Sequence, residues 1–268
     1  MPTGWWENGD TMKLIAGIDL GSRNIKICRM ENGTIISRDC FDSMSFYRKY
    51  GTRSGRGYSI AISELEFGSE FTVVATGYGR MSAAIQGAET ISELKAHFLG
   101  AQFQTGLTDF TLLDMGGQDY KVIHAADGVM VDFATNDKCA ASTGRYLENM
   151  AGVLGITLEE MGQYNDAPVV LSSTCAIFGE SELIGHIVKG EPLENLAAGV
   201  NRSIVQRVLP LLDRMGDGTI ILSGGVSLNR AIVRLLGLTT GREILVLDDP
   251  LHNGAIGCCV YKRNLQQS

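Results

Sequence analysis

The sequence has no uninterrupted apolar run long enough to cross a bilayer, and no basic start followed by an apolar stretch. We therefore expect a cytoplasmic protein with no membrane partner. An excess of positive charge is also missing, because 23 Lys and Arg against 30 Asp and Glu give a net charge of −7. A nucleic-acid-binding protein normally presents a basic face, so no nucleic-acid partner is expected.

Several familiar motifs are absent as well. There is no G-x-x-x-x-G-K-[ST] and no G-x-G-x-x-G, and residues 77–80 (GYGR) are only a near match, which disfavours a P-loop or a Rossmann nucleotide site. The six cysteines include no C-x-x-C pair, and in a cytoplasmic chain they do not predict a disulfide framework. Four of them are interpreted as small buried residues of strands and a helix: Cys28, Cys40, Cys258 and Cys259.

What the sequence does contain is an internal repeat. Residues 13–19 and 110–114 are apolar strands that end in an acid, and a glycine turn follows each of them. Two further strands then come in both places, joined by an Asn-Gly or an Asp-Gly hairpin signal. The repeat predicts two related α/β lobes, which we assign to residues 13–105 with 250–268 and to residues 106–249.

Between these strands the sequence predicts helices at 91–103, 143–154, 175–188, 192–215, 228–236 and 253–260 from their apolar spacing. Residues 41–57 show no clear period and carry several basic residues, so they are predicted to form an exposed loop. The second half of the chain is therefore expected to be mainly helical.

Three turns point to a nucleotide site. Ile18-Asp19-Leu20-Gly21-Ser22 and the residues 113–119 (LDMGGQD) each place a carboxylate before a small-residue turn, and residues 222–226 (LSGGV) place two glycines between a strand and a helix. Glycine N–H groups approach phosphate oxygens closely. The acids would hold Mg²⁺ through its waters, Lys26 would add a cation to the phosphates, and Gly224 and Gly225 suit a flat adenosine.

With these three loops the chain resembles the superfamily of acetate and sugar kinases, heat-shock chaperones and actin. The resemblance implies a two-lobed actin-like α/β fold built from duplicated ribonuclease H-like domains. It also implies nucleotide roles for Asp19, Gly21, Ser22, Asp114, Gly116, Gly117 and Gln118. Gln118 is placed to sense the γ-phosphate or to orient water.

Cys139 and Cys175 differ from the other cysteines because each stands at or near the start of a predicted helix. A helix N-terminus lowers the pKa of a thiol and favours the thiolate that binds metal. Since a cubane cluster usually takes four thiolates, a two-fold dimer would have to supply the other two. From spacing alone, a buried structural pair and a redox-switch pair remain open alternatives.

Over nearly the whole chain from Met12 onward, the sequence is similar to the activators of 2-hydroxyacyl-CoA dehydratases and the ATPase subunits of benzoyl-CoA reductases. The matching stretches are GIDLGS, ATGYGR, DMGGQD, NDKCAASTGR, SSTCAIFGESE and SGGVSLN. The resemblance implies that Cys139 and Cys175 bind a 4Fe-4S cluster shared across a homodimer, and that Glu180 or Glu182 reaches the ribose or base. For these two acids a solvated or lobe-bridging role is an equal alternative.

The same resemblance implies a function. ATP hydrolysis would drive a low-potential electron from a ferredoxin or flavodoxin through the cluster to a 2-hydroxyacyl-CoA dehydratase or a related double-cubane-cluster reductase. Arg23 stands where the family often has a small hydroxyl residue, which puts one expected phosphate contact in question. A small-molecule kinase and a non-catalytic nucleotide switch of the same superfamily are the alternatives, and both would lack iron.

Overall fold

The computed structural model describes residues 14–54, 57–65, 70–77, 83–136, 143–172 and 176–267. The strands are β1 (Leu14–Leu20), β2 (Asn24–Glu31), β3 (Thr34–Asp42), β4 (Gly51–Ser54), β5 (Gly57–Ala61), β6 (Thr72–Thr76), β7 (Ala83–Gln86), β8 (Glu89–Thr90), β9 (Phe110–Met115), β10 (Tyr120–Ala126), β11 (Val129–Asn136), β12 (Ile220–Ser223) and β13 (Ile244–Val246). The helices are α1 (Ser43–Tyr50), α2 (Glu93–Thr105), α3 (Gly144–Leu154), α4 (Leu158–Met161), α5 (Ala176–Val188), α6 (Leu193–Leu212), α7 (Arg230–Thr240) and α8 (Asn253–Gln267).

The repeat seen in the sequence appears as two five-stranded sheets of related topology, ordered β3-β2-β1-β6-β8 and β11-β10-β9-β12-β13. In each sheet the first strand of the repeat, β1 or β9, pairs antiparallel with the next strand and parallel with a later one. The predicted hairpins are confirmed, since Asn32, Gly33, Asp127 and Gly128 have the positive φ angles that such turns require.

Helices α2 and α8 pack against each other between the two sheets. Helix α8 lies on β1, β2 and β6, and α2 contacts β9 and β10. Close approach depends on glycine: a Cβ added to Gly257 would lie 1.7 Å from the Ala96 carbonyl oxygen, and one added to Gly100 would lie 2.1 Å from that of Asn253. The lobe boundaries stay a prediction.

The prediction of an exposed loop at 41–57 is wrong for most of its length. Asp42 caps α1 by accepting a hydrogen bond from the Ser45 N–H at 3.0 Å, and β4 follows the helix directly. Phe46 and Tyr50 stand four residues apart on the buried face of α1, with ring centroids 4.9 Å apart. An eight-residue helix is not stable in isolation, so burial of these two rings stabilises α1.

The second half of the chain is largely helical, as expected. Helices α3, α6 and α7 share one apolar core with the inner face of the second sheet, and Tyr146, Val200 and Leu236 are fully buried there. Cys28, Cys258 and Cys259 are buried as predicted, but Cys40 is exposed, because it stands on the edge strand β3, where it pairs with Lys26 of β2. Within the described residues, no helix is long and apolar enough to cross a membrane.

Candidate functional site

A cavity of about 280 Å³ lies between the two sheets, where β1, β9 and β12 end. Ten residues predicted from the three turns line it together: Asp19, Gly21, Ser22, Lys26, Asp114, Gly116, Gly117, Gln118, Gly224 and Gly225. Parallel neighbours bring their carboxyl ends to one edge of a sheet, which is where ligands enter open α/β folds. The repeat therefore converges on a single site.

Asp19 and Asp114 occupy equivalent positions, each one residue before the end of its strand. Each also faces a lysine across the neighbouring antiparallel strand, Lys26 for Asp19 and Lys121 for Asp114. The duplication thus repeats an acid, a turn and a lysine. Lys26 is predicted from the sequence and Lys121 is not, although the repeat itself is the signal that identifies Lys121.

The carboxylate of Asp114 is buried and fully engaged. The Ser223 hydroxyl donates to its Oδ1 at 2.5 Å, His97 Nδ1 lies 3.3 Å from the same oxygen, and Lys121 Nζ lies 3.9 Å from Oδ2. Burial raises the pKa of Asp114, but the charge and hydrogen bond of His97, with Lys121 and Ser223, outweigh it and hold that pKa well below its usual range. Asp114 is therefore a carboxylate at any physiological pH.

Lys121 sits in the middle of a group of acids. Its Nζ lies 2.8 Å from Asp119 and 3.0 Å from Glu93, and its side chain is only 5% exposed. Burial lowers the pKa of Lys121, but the charges of Asp114, Glu93 and Asp119 offset this and raise it above its ordinary value. A permanent ammonium group therefore lies under the second phosphate turn.

Asp19 differs from Asp114 in what its oxygens contact. Its Oδ1 is buried and has no hydrogen-bond partner among the described residues, and Lys26 Nζ stands 3.6 Å from Oδ2. Two glycines leave room around this carboxylate, since a Cβ on Gly77 would lie 2.7 Å from Oδ1 and one on Gly254 would lie 3.1 Å from Oδ2. A buried acceptor in such a cradle suits an ion or its waters.

His97 is a site residue that the sequence analysis did not identify. It comes from α2, is 6% exposed, and lines the cavity beside Asp114. Burial lowers the pKa of His97, but Asp114 and then Asp19 outweigh burial, so the pKa is raised. Because it belongs to a helix packed between the sheets, only tertiary structure brings it to the strand ends.

The third turn fits tightly beside the second. Gly224 has φ +81°, and a Cβ there would lie 2.2 Å from the Met115 carbonyl oxygen. Gly225 is different, because the nearest atom to its added Cβ is Leu251 Cδ2 at 3.8 Å. Gly224 is thus required by the fold, whereas Gly225 presents open backbone to the cavity.

The second phosphate turn is also bonded to the helix that follows it. The Gly144 N–H donates to the Gly116 carbonyl at 2.9 Å, and the Arg145 N–H donates to the Gly117 carbonyl at 3.1 Å. These donors are the first two residues of α3. Two backbone hydrogen bonds therefore join this turn to the start of α3.

Cys139 and Cys175 lie outside the described residues. α5 begins at Ala176, directly after Cys175, and α3 begins at Gly144, shortly after Cys139. Among the described residues no group of three or more His, Cys, Asp or Glu side chains is arranged to hold a metal ion. Glu180 is not among the residues lining the cavity; its Oε2 accepts a hydrogen bond from Asn149 at 2.9 Å, while Glu182 accepts from Ser172.

Residues 16–261 match the BadF/BadG/BcrA/BcrD ATPase family. The chain belongs to this family. It is an ATPase, and the (R)-2-hydroxyglutaryl-CoA dehydratase activating ATPase of Acidaminococcus fermentans is 36% identical to it over 253 residues, which cover 91% of this chain and 95% of the relative.

Solved structures agree with the family assignment. The activator of the 2-hydroxyisocaproyl-CoA dehydratase from Clostridium difficile with bound ADPNP superimposes with a TM-score of 0.80 at 31% identity, covering 95% of this chain and 98% of that one. A ROK family glucokinase from Streptomyces griseus superimposes with a TM-score of 0.56 at 14% identity, covering 94% and 99%. The second likeness shows the fold alone, and it confirms the predicted actin-like architecture.

Proposed function

We propose that this ATPase is the activator of a reductive enzyme, which uses ATP binding and hydrolysis to deliver one low-potential electron. Relatives named as activators of the (R)-2-hydroxyglutaryl-CoA and 2-hydroxyisocaproyl-CoA dehydratases support a dehydratase or a related double-cubane-cluster reductase as the acceptor. A reduced ferredoxin or flavodoxin is the proposed donor, and the working unit is a homodimer.

The observation that carries the proposal is the pair of hydrogen bonds from the start of α3 to the second phosphate turn. Gly116 and Gly117 would face the phosphates with their N–H groups, while their carbonyls accept from Gly144 and Arg145. The segment just before α3 contains Cys139. A change at the phosphates is thus coupled to the segment proposed to bind the cluster.

The charged residues of the cavity would have different roles in binding Mg²⁺ and phosphate. Asp19 would hold Mg²⁺ through its waters, because it has a buried oxygen free to accept, whereas the oxygens of Asp114 are already engaged by Ser223, His97 and Lys121. Asp114 therefore positions the second turn and adds negative charge near the ion. Lys26, whose Nζ lies 3.6 Å from Asp19 Oδ2, would neutralise phosphate charge.

The remaining roles follow from position. Gln118 is an exposed residue of the second turn that lines the cavity, and it would orient the water that attacks the γ-phosphate. Gly21 and Ser22 would donate to phosphate oxygens, and Gly225 leaves backbone open for the adenosine. Closure of the proposed lobes, residues 13–105 with 250–268 against residues 106–249, would move α3, and hydrolysis would release it.

Cys139 and Cys175 would hold one 4Fe-4S cluster together with the same two residues of the partner subunit. When bound, the cluster supplies the transferred electron. Helix α5 begins directly after Cys175 and α3 begins five residues after Cys139, and a helix N-terminus favours the thiolate form that ligates iron. Their shared relation to helix starts supports the assignment.

The test is anaerobic purification of the wild type and of Cys139→Ser, Cys175→Ser and Cys40→Ser. Cys40 is exposed on β3 and is the matched control. The first two variants should lose iron and the brown chromophore yet still bind ATP, and Cys40→Ser should keep both. Cluster retention in Cys139→Ser or Cys175→Ser would contradict the ligand assignment. Colourless wild-type protein that phosphorylates a sugar would favour a kinase instead.

A further inference from the structure

Arg23 joins the two sides of the nucleotide cavity at its rim. It directly follows Ser22 in the first phosphate turn and lines the same cavity as Glu148 of α3. Its Nη1 lies 3.3 Å from Asp42 Oδ2, and its Nε lies 3.5 Å from Glu148 Oε1. Asp42 caps α1 beside the first sheet, whereas Glu148 belongs to a helix packed on the second sheet. One guanidinium thus contacts acids from both sides.

The stem of Arg23 also packs across the cavity. A Cβ built on Gly117 would lie 3.1 Å from Arg23 Cβ and 3.8 Å from its Cγ. The first phosphate turn therefore touches the second through this side chain. Arg23 and Glu148 are 50% and 44% exposed, so their ion pair stands at the mouth of the cavity and not beneath its floor.

We propose that the Arg23–Glu148 ion pair is a gate that retains the nucleotide by closing the cavity mouth between the first phosphate turn and α3. The proposal rests on the cavity being the ATP site, and it is independent of any cluster. Both side chains line the cavity at its rim, so we expect a nucleoside di- or triphosphate that leaves the cavity to pass beside this ion pair. The gate therefore controls nucleotide exchange, while hydrolysis is carried out by the residues behind it.

The charges of Arg23 and Glu148 should also affect the rate at which the nucleotide enters the cavity. Glu148 is an acid beside a cavity that receives a polyanion, and Arg23 neutralises it. Loss of Arg23 leaves Glu148 unpaired, so phosphate entry should slow at the same time as release accelerates. Loss of Glu148 removes one acid from the cavity mouth and leaves Arg23 paired with Asp42 alone, so entry should accelerate together with release. Both single variants should therefore release the nucleotide faster, but phosphate entry should be slower without Arg23 and faster without Glu148.

The expected size follows from the exposure of the pair. Exposed ion pairs of this geometry are weak, which corresponds to a factor of about two to five in the release rate. The experiment uses the full chain with a fluorescent ADP analogue, whose release into excess ATP is followed by stopped flow. The variants are Arg23→Ser, Glu148→Gln and the double variant. Arg214→Ser is the control, because Arg214 is exposed and is not among the cavity residues.

Release should be about two- to fivefold faster in both single variants, and the double variant should be no faster than either, because each single change already opens the gate. Arg214→Ser should release at the wild-type rate, and kcat for hydrolysis should change less than KM in the gate variants. An unchanged ADP release rate in both single variants would contradict the proposed gate. A release rate in the double variant equal to the product of the two single effects would contradict it as well.

Failure of the activator proposal gives a different result. A chain without iron that still shows the non-additive release pattern keeps the gate and loses only the electron-transfer function. A wild-type chain that binds no nucleotide overturns both the ATP site and the gate.

Discussion

Replacing Lys121 by methionine tests the buried electrostatics of the second phosphate turn. The variant keeps a long side chain in β10 but removes the ammonium that Asp114, Asp119 and Glu93 share. Removing one partner of a buried ion pair typically costs about 3–5 kcal/mol. Asp119 and Glu93 are 33% and 22% exposed and recover some hydration, so we expect a loss of about 2–3 kcal/mol in the free energy of unfolding.

Lys262 is the matched control, because its ion pair has the same N–O distance but is more exposed. Its Nζ lies 2.8 Å from Glu89, as Lys121 Nζ does from Asp119, but the Lys262 and Glu89 side chains are 24% and 35% exposed. Glu89 also keeps the Tyr261 hydroxyl as a donor. Lys262→Met should therefore cost about 1 kcal/mol or less.

Urea denaturation at pH 7, followed by circular dichroism, compares the two variants with the wild type. The denaturation midpoint should fall clearly further for Lys121→Met than for Lys262→Met. Equal losses, or a Lys121→Met chain as stable as the wild type, would refute the claim that burial makes the Lys121 cluster strong.

Two further predictions concern the same cavity. Gly224→Ala should lower the free energy of unfolding by more than about 1 kcal/mol, since the new Cβ meets a carbonyl oxygen at a position with a positive φ angle. Gly225→Ala should keep wild-type stability and weaken the binding of adenine nucleotides at least about fivefold in a titration. The reverse pattern would contradict the roles given to the two glycines. The second prediction concerns the pH dependence of stability. The raised pKa of His97 contributes stability that is fully present below about pH 6.5 and is lost as the pH rises through the pKa of His97 in the folded protein. The lowered pKa of Asp114 contributes stability that is fully present above about pH 4 and is lost as the pH falls through the pKa of Asp114 in the folded protein. The stability difference between wild type and His97→Gln should therefore be largest between about pH 4 and 6.5, and a difference independent of pH from 4 to 9 would be inconsistent with the ion pair.

The parts of the site that could be predicted from sequence are those encoded locally. Asp19 and Asp114 end apolar strands and precede glycine turns, so each motif predicts its own geometry and the repeat predicts that the motifs meet. Lys121 was predictable by the same logic, because it stands in the second repeat where Lys26 stands in the first.

Other features depend on packing that no local pattern contains. His97 reaches Asp114 only because α2 lies between the sheets, and Arg23 reaches Glu148 only because α3 starts at the second phosphate turn. Helix α1 was missed for a different reason. Its signal is one capping aspartate and two aromatic residues four apart, and a helix that short is held by the tertiary burial of Phe46 and Tyr50.

The most direct test of the central claim is native mass spectrometry of the wild-type chain purified without oxygen. If each subunit contributes Cys139 and Cys175 to a shared site, the dimer should carry the mass of one 4Fe-4S cluster, or about two iron atoms per chain. Dissociation into monomers should then release the iron. A monomer that keeps its own cluster, or an iron-free dimer, would contradict the account.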